Sequence, residues 1–364
     1  MRITSMEIHP ITMTLRTPIA MSSGVIEKTG NVLVELRTAD GLVGWGEGVE
    51  APAMTHQTQA DIVTDLERLT SIVVGSDPTR RTEIWGRLNG AAGSATTAIG
   101  AIDIALHDLA GRALGVPSHQ LLGGLVRDRI PALTLVGSGD ASADADKLAE
   151  RHEQGFRWFK IKLGMAPPEV ELATLSKAVE LVGGDGVVCG DVNEGWDEDQ
   201  ARSFLDQLDG NQIRFIEQPV PRTELDALLR LASTSPVRLC ADEAAGSLEA
   251  VVGFVGTAVG GVSLKLIKHG GMTGVMRGAG ICAAGGLGIN LAGKVIESSI
   301  SAAANLHCAA AMDRIDFGCS PANQGVVQDV TPDPVTLTHG QFPVPTAPGL
   351  GVDVDERLVR ELAT

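Results

Sequence analysis

The sequence predicts an α/β protein, a modified TIM-type (β/α)7β barrel with an N-terminal α+β capping domain. In the middle of the 364-residue chain, charged residues recur at intervals of 25 to 29 residues, about the length of one strand, one helix and their loops. Each of these charges ends an apolar run typical of a buried strand. The separate N-terminal α+β unit is predicted by a third observation, since strand-like runs precede helical ones near the N-terminus.

The capping domain is predicted from the order of its elements. Residues 2–15 alternate loosely between apolar and polar side chains, as a half-buried strand does. Residues 31–47 predict a β-hairpin, and residues 58–73 and 95–114 have helical spacing. Strands followed by helices form a separate unit, which we place at residues 1–125.

The barrel and a C-terminal tail follow this unit. The strand–helix alternation begins near Pro131 and continues to about Asp316, which predicts a catalytic barrel over residues 126–325. A stretch rich in proline and glycine and a short helix come after it. Residues 326–364 do not belong to the barrel repeat, and we expect this tail to pack back on the capping domain.

Charge and cysteine usage restrict the partners and the location. The formal net charge of −16 disfavours nucleic acid and anionic membranes as partners. The N-terminus has no basic stretch followed by a long apolar core, and no run of about 18 apolar residues occurs, so we expect neither a secretory signal nor a membrane span. The five cysteines are widely spaced without a C-x-x-C, which predicts reduced, mostly buried thiols and a cytoplasmic protein.

Three carboxylates end consecutive predicted strands: Asp191, Glu217 and Asp242. The C-terminal strand ends of a barrel meet at one face, so these carboxylates converge and repel each other. A divalent cation relieves the repulsion, and oxygen ligands without histidine or cysteine suit Mg²⁺, or Mn²⁺, rather than zinc. The alternative for each residue alone is a structural salt bridge. Because side chains alternate along a strand, only one residue of the Asp242-Glu243 pair can face the metal, and we choose Asp242, with Glu243 supporting it.

Lysines precede and follow this acidic set. Lys160 and Lys162 share one face of the second strand, and we expect Lys268 to end the sixth strand, across the barrel. Lys265 is expected to lie deeper and is the weaker candidate. Neighbouring positive charges lower the pKa of a lysine, which can then act as a general base; the alternative is that these lysines only neutralise the carboxylates. The set suggests that a metal holds a substrate carboxylate and stabilises an enediolate while a lysine removes the α-proton.

With these motifs the chain resembles the enolase superfamily, and specifically its muconate lactonizing enzyme subgroup. The matching segments cover nearly the whole chain: Gly44-Trp45-Gly46-Glu47, Lys160-Ile161-Lys162, Asp191-Val192-Asn193, Ile216-Glu217-Gln218-Pro219, Ala241-Asp242-Glu243, Lys268-His269-Gly270-Gly271 and Glu297-Ser298-Ser299-Ile300. Any one segment is weakly specific, whereas the set is highly specific. A lysine at position 268 argues against the mandelate racemase branch, which uses a His–Asp dyad.

The resemblance implies roles for individual residues. These are Mg²⁺ binding by Asp191, Glu217 and Asp242, acid/base catalysis by Lys162 and Lys268, and a lowering of the Lys162 pKa by Lys160. Positions expected to bind substrate or to support the site are Asn193, Glu243 and Glu297. The resemblance also implies a small-molecule carboxylate substrate and a homo-oligomer.

In that family two loops of the capping domain cover the barrel mouth. Their counterparts here are residues 20–26, with Ser23 as a candidate for substrate contact, and residues 47–55. The residues of these loops are mostly small or apolar. The resemblance therefore implies a modest pocket with little charge above the metal.

Two departures from the family pattern bear on the substrate. Similar dipeptide epimerases carry Asp-x-Asp near the eighth strand to hold a substrate ammonium, whereas this chain has Asp316-Phe317-Gly318. One acid is missing, so we expect Asp316 to hold at most a single amine. Lys294 stands where relatives mostly carry a small or neutral residue, and we expect it to reach the cavity and pair with a substrate anion or Glu297. The alternative is a lysine directed to solvent.

The same half-reaction permits several outcomes. Two opposed lysines favour racemisation or epimerisation of an amino-acid-like acid. The alternatives are cycloisomerisation and dehydration of a β-hydroxy or hydroxyproline-like acid such as cis-3-hydroxyproline. A Schiff-base aldolase would also use a lysine, but it leaves the three carboxylates unexplained. A binding protein would leave the acid/base pair without a purpose.

Overall fold

The capping domain consists of a three-stranded antiparallel sheet with helices packed against it. The structure, a computed structural model, describes residues 1–21 and 24–364. The elements of this domain are β1 (Ile3–Met21), β2 (Gly24–Thr38), β3 (Val43–Val49), α1 (Pro52–Thr55), α2 (Gln59–Val73), α3 (Arg81–Ala92) and α4 (Thr96–Leu114). The strands form a meander in the order β1-β2-β3. Residues 97–111 of α4 are all buried, because this helix lies between the sheet and the barrel.

Eight parallel strands form the barrel, and neighbours in the sheet are neighbours along the chain. A 3-10 helix (Ser118–Leu122) and the short strand β4 (Arg129–Pro131) lead into it. Its strands are β5 (Leu133–Val136), β6 (Trp158–Lys162), β7 (Val187–Asp191), β8 (Ile216–Glu217), β9 (Leu239–Ala241), β10 (Gly261–Leu264), β11 (Gly288–Ala292) and β12 (Gly318–Ser320). Its helices are α5 (Ala141–Glu153), α6 (Pro168–Val182), α7 (Glu198–Leu205), α8 (Leu225–Thr234), α9 (Leu248–Gly253), α10 (Leu266–His269), α11 (Gly271–Gly285) and α12 (Ser299–Ala311). A parallel bridge between Ala132 and Cys319 nearly closes the sheet, so the predicted fold class is confirmed.

Alternation along the strands separates an apolar floor from a charged layer inside the barrel. The floor is a cluster of inward side chains: Leu133, Cys189, Phe215, Cys240 and Phe317. The rings of Phe215 and Phe317 stack at its centre, with centroids 4.4 Å apart. Two residues beyond Cys189, Phe215 and Cys240, the same inward register carries the three predicted carboxylates. These charges therefore lie at the C-terminal strand ends, above a packed apolar base.

Two glycines allow the cap sheet to approach its helix closely. A Cβ added to Gly46 would lie 1.9 Å from the carbonyl oxygen of Ala101 in α4. One added to Gly44 would lie 2.6 Å from the carbonyl oxygen of Ala105. Strand β3 thus packs on α4 backbone to backbone, which explains both glycines of the Gly-Trp-Gly-Glu motif.

Two buried acids join the cap to the barrel. Glu47, which ends the glycine motif, accepts hydrogen bonds from the backbone amides of Ser298 at 3.0 Å and Ser301 at 3.2 Å, at the start of α12. Asp103 of α4 accepts a hydrogen bond from the amide of Thr273 at 2.8 Å, in the first turn of α11. Carboxylates are stabilised at helix N-termini by the free amides and the helix dipole. The cap is thereby fixed beside two barrel helices.

The C-terminal tail contacts both parts of the molecule. Strand β13 (Gln341–Pro343) pairs antiparallel with β4, and α13 (Glu356–Leu362) packs against β1. The amide of Val327 donates to the carbonyl oxygen of Thr14 at 2.8 Å. The tail thus links the cap sheet to the entry of the barrel.

The cysteines and the helices can be compared with two expectations drawn from the sequence, buried thiols and no membrane span. All five cysteines are buried and free, as predicted. Burial raises the pKa of the Cys189 and Cys319 thiols, which keeps them protonated at neutral pH. Among the helices of residues 1–21 and 24–364, none is long and apolar enough to cross a membrane.

Replacing Gly46 by alanine tests the close packing of β3 on α4. Because the new Cβ would collide with a backbone carbonyl, we expect a destabilisation of about 1–3 kcal/mol or more, measured as a fall in the thermal midpoint. Gly86→Ala is the matched control, since its Cβ meets nothing within 4 Å on an exposed face of α3. That variant should be stabilised by up to about 1 kcal/mol. Equal effects of the two substitutions would contradict the packing argument.

Candidate active site

Three carboxylates lie at the C-terminal ends of neighbouring strands. Lys162 on β6 is paired in register with Asp191 on β7, and Asp191 with Glu217 on β8. Asp242 directly follows β9. Each carboxylate residue is at most 4% exposed. The structure therefore brings together the acids that the spacing predicted to converge.

Two lysines on β6 neutralise two of these acids with their ammonium groups. Lys160 pairs with Glu217 and lies 3.9 Å from Asp191, while Lys162 lies 2.8 Å from Asp191. Burial disfavours the Lys160 ammonium, but the carboxylates of Glu217 and Asp191 outweigh burial and raise the pKa of Lys160. Lys160 therefore stays charged beneath the cavity, whereas Lys162 lies higher on the same strand face.

The structure reverses the expected order of the two lysines after β10. Lys265 keeps an extended backbone, lines the cavity and continues the inward register of Ser263. Lys268 lies in α10 and is 2% exposed. Its ammonium donates to the carbonyl oxygens of Ser263 at 2.8 Å and Asp242 at 2.6 Å. The expectation that Lys265 lies deeper, and that Lys268 ends the sixth strand, is therefore wrong.

Both of these lysines pair with Asp242. The Nζ atoms of Lys265 and Lys268 lie 2.6 Å and 2.7 Å from its carboxylate oxygens. Burial works against the Asp242 carboxylate, but the two ammonium groups outweigh burial and hold its pKa well below the usual range. Burial lowers the pKa of Lys268, and the pair with Asp242 only partly offsets this. Lys268 thus supports Asp242, and Lys265 is the lysine that a substrate in the cavity could contact.

Two polar residues that sequence reasoning missed complete the base of the site. Ser263 donates to Glu217 at 2.5 Å, and Asn290 donates to Ser263 at 2.8 Å. Both project inward from β10 and β11. Side chains two residues apart on a strand face the same side. An inward-facing Lys265 would therefore have identified Ser263 as inward-facing too.

Asn193 connects the acidic layer to Glu243. It accepts a hydrogen bond from the Lys162 ammonium and donates to Glu243 at 3.2 Å. The second carboxylate oxygen of Glu243 is buried without a hydrogen-bond partner among the described residues. Burial and the adjacent charge of Asp242 raise the pKa of Glu243 to about 8. Asn193 thereby holds the Lys162 ammonium in one position at the cavity wall.

A cavity of about 390 Å³ lies between these strand ends and the capping domain. Its apolar lining from the cap includes Ile26 and Met54, which belong to the two expected loops. Lys28 and Glu50 also line it, so the expectation of little charge above the carboxylates is wrong. The candidate Ser23 lies outside the described residues. A cavity of this size suits a small molecule.

Lys294 and Glu297 lie in the loop between β11 and α12. Lys294 lines the cavity, as expected. Glu297 is 2% exposed and accepts hydrogen bonds from the amides of Lys294 at 3.1 Å and Ala322 at 2.9 Å. Burial raises the pKa of Glu297 to about 8. Glu297 therefore shapes the loop that carries Lys294.

Asp316 lies at the opposite end of the barrel. It precedes β12, accepts a hydrogen bond from the amide of Ile289 near the start of β11 at 3.2 Å, and pairs with Arg314 at 3.2 Å. The residue of β12 that lines the cavity is Ser320. The expectation that Asp316 could hold a substrate amine is wrong, because the acid lies before its strand rather than after it.

The donor set fits a hard divalent cation. The cavity lining includes carboxylates and one unpaired buried carboxylate oxygen, and among its described residues there is neither histidine nor cysteine. Lysine ammonium groups lie between the three acids here. Among described residues, the one group of potential ligands with all its atoms within 4.8 Å of one another is Glu7, His9 and Glu35 in the cap sheet. Metal binding by the three strand-end acids stays a prediction.

A capped barrel with paired lysines and acids at its C-terminal strand ends defines a class of enzyme, and comparison with known families gives its name. Residues 3–123 match the family described as mandelate racemase / muconate lactonizing enzyme, N-terminal domain. Residues 143–358 match the family described as enolase C-terminal domain-like. The chain belongs to the enolase superfamily and, within it, to the muconate lactonizing enzyme subgroup. The resemblance drawn from the sequence motifs is confirmed.

Individual relatives align over nearly their whole length. A chloromuconate cycloisomerase of Pseudomonas putida is 33% identical over 368 residues, which cover 99% of this chain and 98% of the relative. The N-succinyl-L-Arg/Lys racemase of Bacillus cereus is 28% identical over 372 residues, covering 100% and 98%. The crystal structure of the muconate lactonizing enzyme of Pseudomonas fluorescens complexed with muconolactone has a TM-score of 0.93 at 28% identity, covering 100% and 99%.

Removing one strand-end acid tests the predicted metal site. We expect Asp191→Asn and Glu217→Gln to weaken Mn²⁺ or Mg²⁺ binding at least about tenfold, because each substitution removes a charged oxygen ligand. Titration calorimetry of the folded variants measures this. Glu7→Gln, in the acidic group of the cap sheet, is the control and should bind the ion normally. Loss of binding in Glu7→Gln, with binding retained in Asp191→Asn, would move the metal site to the cap.

Arg222 ties a loop of the cap to the barrel. Its guanidinium pairs with Glu194 at 2.7 Å and donates to the carbonyl oxygen of Ala53 at 2.9 Å. Both Arg222 and Ala53 line the cavity. The Glu194 pair directs the guanidinium at the cap loop, so this contact fixes one wall of the cavity.

Loss of this contact should loosen the cap loop. In Arg222→Met we expect the amides of Met54 and Thr55 to exchange with solvent about tenfold faster, because one charged hydrogen bond that closes the loop is gone. Hydrogen-exchange mass spectrometry measures the change. Arg230→Met removes an exposed pair with Glu198 and should leave these amides unchanged. Equal exchange in all three proteins would show that other contacts hold the loop.

Proposed function

We propose that this enzyme catalyses the cycloisomerisation of a small unsaturated acid through an enediolate. The observation that carries the proposal is the placement of Lys162 and Lys265, which line one cavity from strands four apart in an eight-stranded barrel. Strands so related lie on opposite sides, so two proton-bearing groups would flank a ligand bound beside the three carboxylates. The relatives named chloromuconate cycloisomerase, at 33–34% identity over 98–99% of the chain, support this outcome over racemisation.

The proposed site residues divide the work of the reaction. Asp191, Glu217 and Asp242 would hold Mg²⁺, which members of the superfamily generally bind, and the ion would supply positive charge that stabilises the enediolate. Lys162 or Lys265 would hold the proton to be transferred, and the hydrogen bond to Asn193 fixes the position of Lys162. The reacting acid would thus be a small-molecule carboxylate.

The bonds and protons of the proposed reaction balance within the site. One carboxylate oxygen of the substrate adds to a carbon–carbon double bond conjugated with a second carboxyl group. A C–O bond forms, the double bond is consumed, and the second carboxylate becomes an enediolate. A lysine ammonium then delivers its proton to the α-carbon, giving a lactone, and regains a proton from solvent. Lys162 and Lys265 are the two candidates for this donor.

Racemisation is the second candidate, and one observation favours it. Two opposed lysines are what a reaction that removes a proton from one face and returns it to the other requires. The racemase of Bacillus cereus, at 28% identity, supports it as well. Racemisation was the preferred prediction from sequence, and the relatives favour the cycloisomerase alternative over it. Both reactions pass through an enediolate. They differ in the number of lysines that must transfer a proton, which is one in cycloisomerisation and two in racemisation.

Proton NMR in D₂O with Mg²⁺ separates the two candidates. We expect cis,cis-muconate or 2-chloromuconate to give a lactone with one deuterium at the α-carbon, and Lys162→Ala or Lys265→Ala to lower the rate about 10²–10⁴-fold, depending on which lysine donates. Lys177→Ala, which removes an exposed pair on α6, is the control. Deuterium at Cα of N-succinyl-lysine without any lactone, lost in both lysine variants, would establish racemisation instead. Vinylic or imine signals from hydroxyprolines would establish dehydration.

A further inference from the structure

The backbone of Lys294 is fixed in the cavity wall by hydrogen bonds. It follows β11, and its amide donates to Glu297 at 3.1 Å. The next residues of the loop are fixed by Glu47 of the cap, which accepts from the Ser298 hydroxyl at 2.8 Å. The main chain at Lys294 is therefore positioned from both domains, and its side chain is half-buried.

The Lys294 ammonium has no partner among the residues that the structure describes, either as a hydrogen bond or as an ion pair. The other basic side chains that line the cavity differ in this respect. Lys160, Lys162 and Lys265 pair with strand-end carboxylates, and Arg222 pairs with Glu194. Lys28 is exposed, where water satisfies it. A half-buried ammonium without a partner is costly and favours an external anion.

The two carboxylates whose charges act on Lys294, those of Glu50 and Glu297, accept hydrogen bonds from other groups. Glu50 accepts hydrogen bonds from the amides of Gly30 at 2.6 Å and Gln59 at 3.1 Å. Glu297 accepts from the backbone amides of Lys294 and Ala322, and burial raises its pKa to about 8, which disfavours its charged form. Of the two partners predicted for Lys294, Glu297 or a substrate anion, the geometry favours the anion. Burial and the charge of Lys265 lower the pKa of Lys294 to about 8, a cost that a bound anion would offset.

We propose that Lys294 is a specificity-determining residue that binds a second anionic group of the substrate, a carboxylate distant from the reacting centre. It would thereby select dianionic over monoanionic substrates. The inference rests on the proposed function only in assuming that a small carboxylate reacts between Lys162 and Lys265. It holds whether the reaction is cycloisomerisation of a di-acid or racemisation of an amino acid with an anionic acyl group.

Binding of unreactive ligands tests this proposal without turnover. The probes are adipate, a saturated dicarboxylate, and its monomethyl ester, titrated calorimetrically in the presence of Mg²⁺. The parent protein should bind adipate about tenfold to a hundredfold more tightly than the ester, as expected for one charge-assisted hydrogen bond. Lys294→Met should abolish this preference by weakening adipate alone, whereas Lys294→Arg should retain it. Lys28→Met, at the exposed rim, should also retain it.

Stability and metal binding serve as further readouts. The thermal midpoint of Lys294→Met should equal or exceed that of the parent, since an unpaired charge is removed, and its Mg²⁺ titration should be unchanged. Equal weakening of both ligands, a preference that survives in Lys294→Met, or no preference in the parent would overturn the proposal. Failure of the proposed function looks different, because muconate would then give no lactone while the dicarboxylate preference persisted. Lactone formation with an unchanged KM in Lys294→Met would instead remove only this inference.

Discussion

Ion pairs between buried lysines and carboxylates are the interaction on which the rest of this structure depends. Three acids at the ends of β7, β8 and β9 could not be buried together as free anions, because each would meet its neighbours' charge in a poorly solvated place. Lys160 and Lys265 approach them from opposite sides of the barrel. The apolar floor beneath keeps this layer at the strand ends, where a ligand can reach it.

The position of the cap is related to the same layer of buried charges. A charged layer open to water would be screened and would bind a small acid weakly. The cap covers it, and it is fixed by acids that use helix N-termini, Glu47 at α12 and Asp103 at α11. Close packing of Gly46 on α4 makes this possible, because it brings the end of β3 to the barrel. The same glycine motif therefore serves the fold of the cap and the closure of the site.

Much of this arrangement could be predicted from sequence. Repeated strand–helix units place the strand ends at a regular interval along the chain, and side chains alternate between the two faces of each strand. Both rules place Asp191 and Glu217 correctly. They fail for Lys268 and Asp316, where the strand boundary decides the outcome. Strand β10 ends at Leu264, so a lysine four residues later has turned into a helix, and Asp316 precedes its strand instead of ending it. Contacts between distant segments, such as Arg222 with Ala53, leave no local pattern and could not be found this way.

The cavity combines a layer of paired charges with a loop whose lysine is unpaired among the described residues. The acids and the lysines paired with them are held by strands and by one another, so a change to any of them disturbs the others. Lys294 belongs instead to a loop whose backbone is fixed by Glu47 and Glu297, while its ammonium forms no hydrogen bond or ion pair with a described residue. A substitution there alters the charge presented to the far end of a ligand and leaves the ion-pair layer intact. If Lys294 binds the distant carboxylate as proposed, substrate choice and proton transfer are physically separable in this chain.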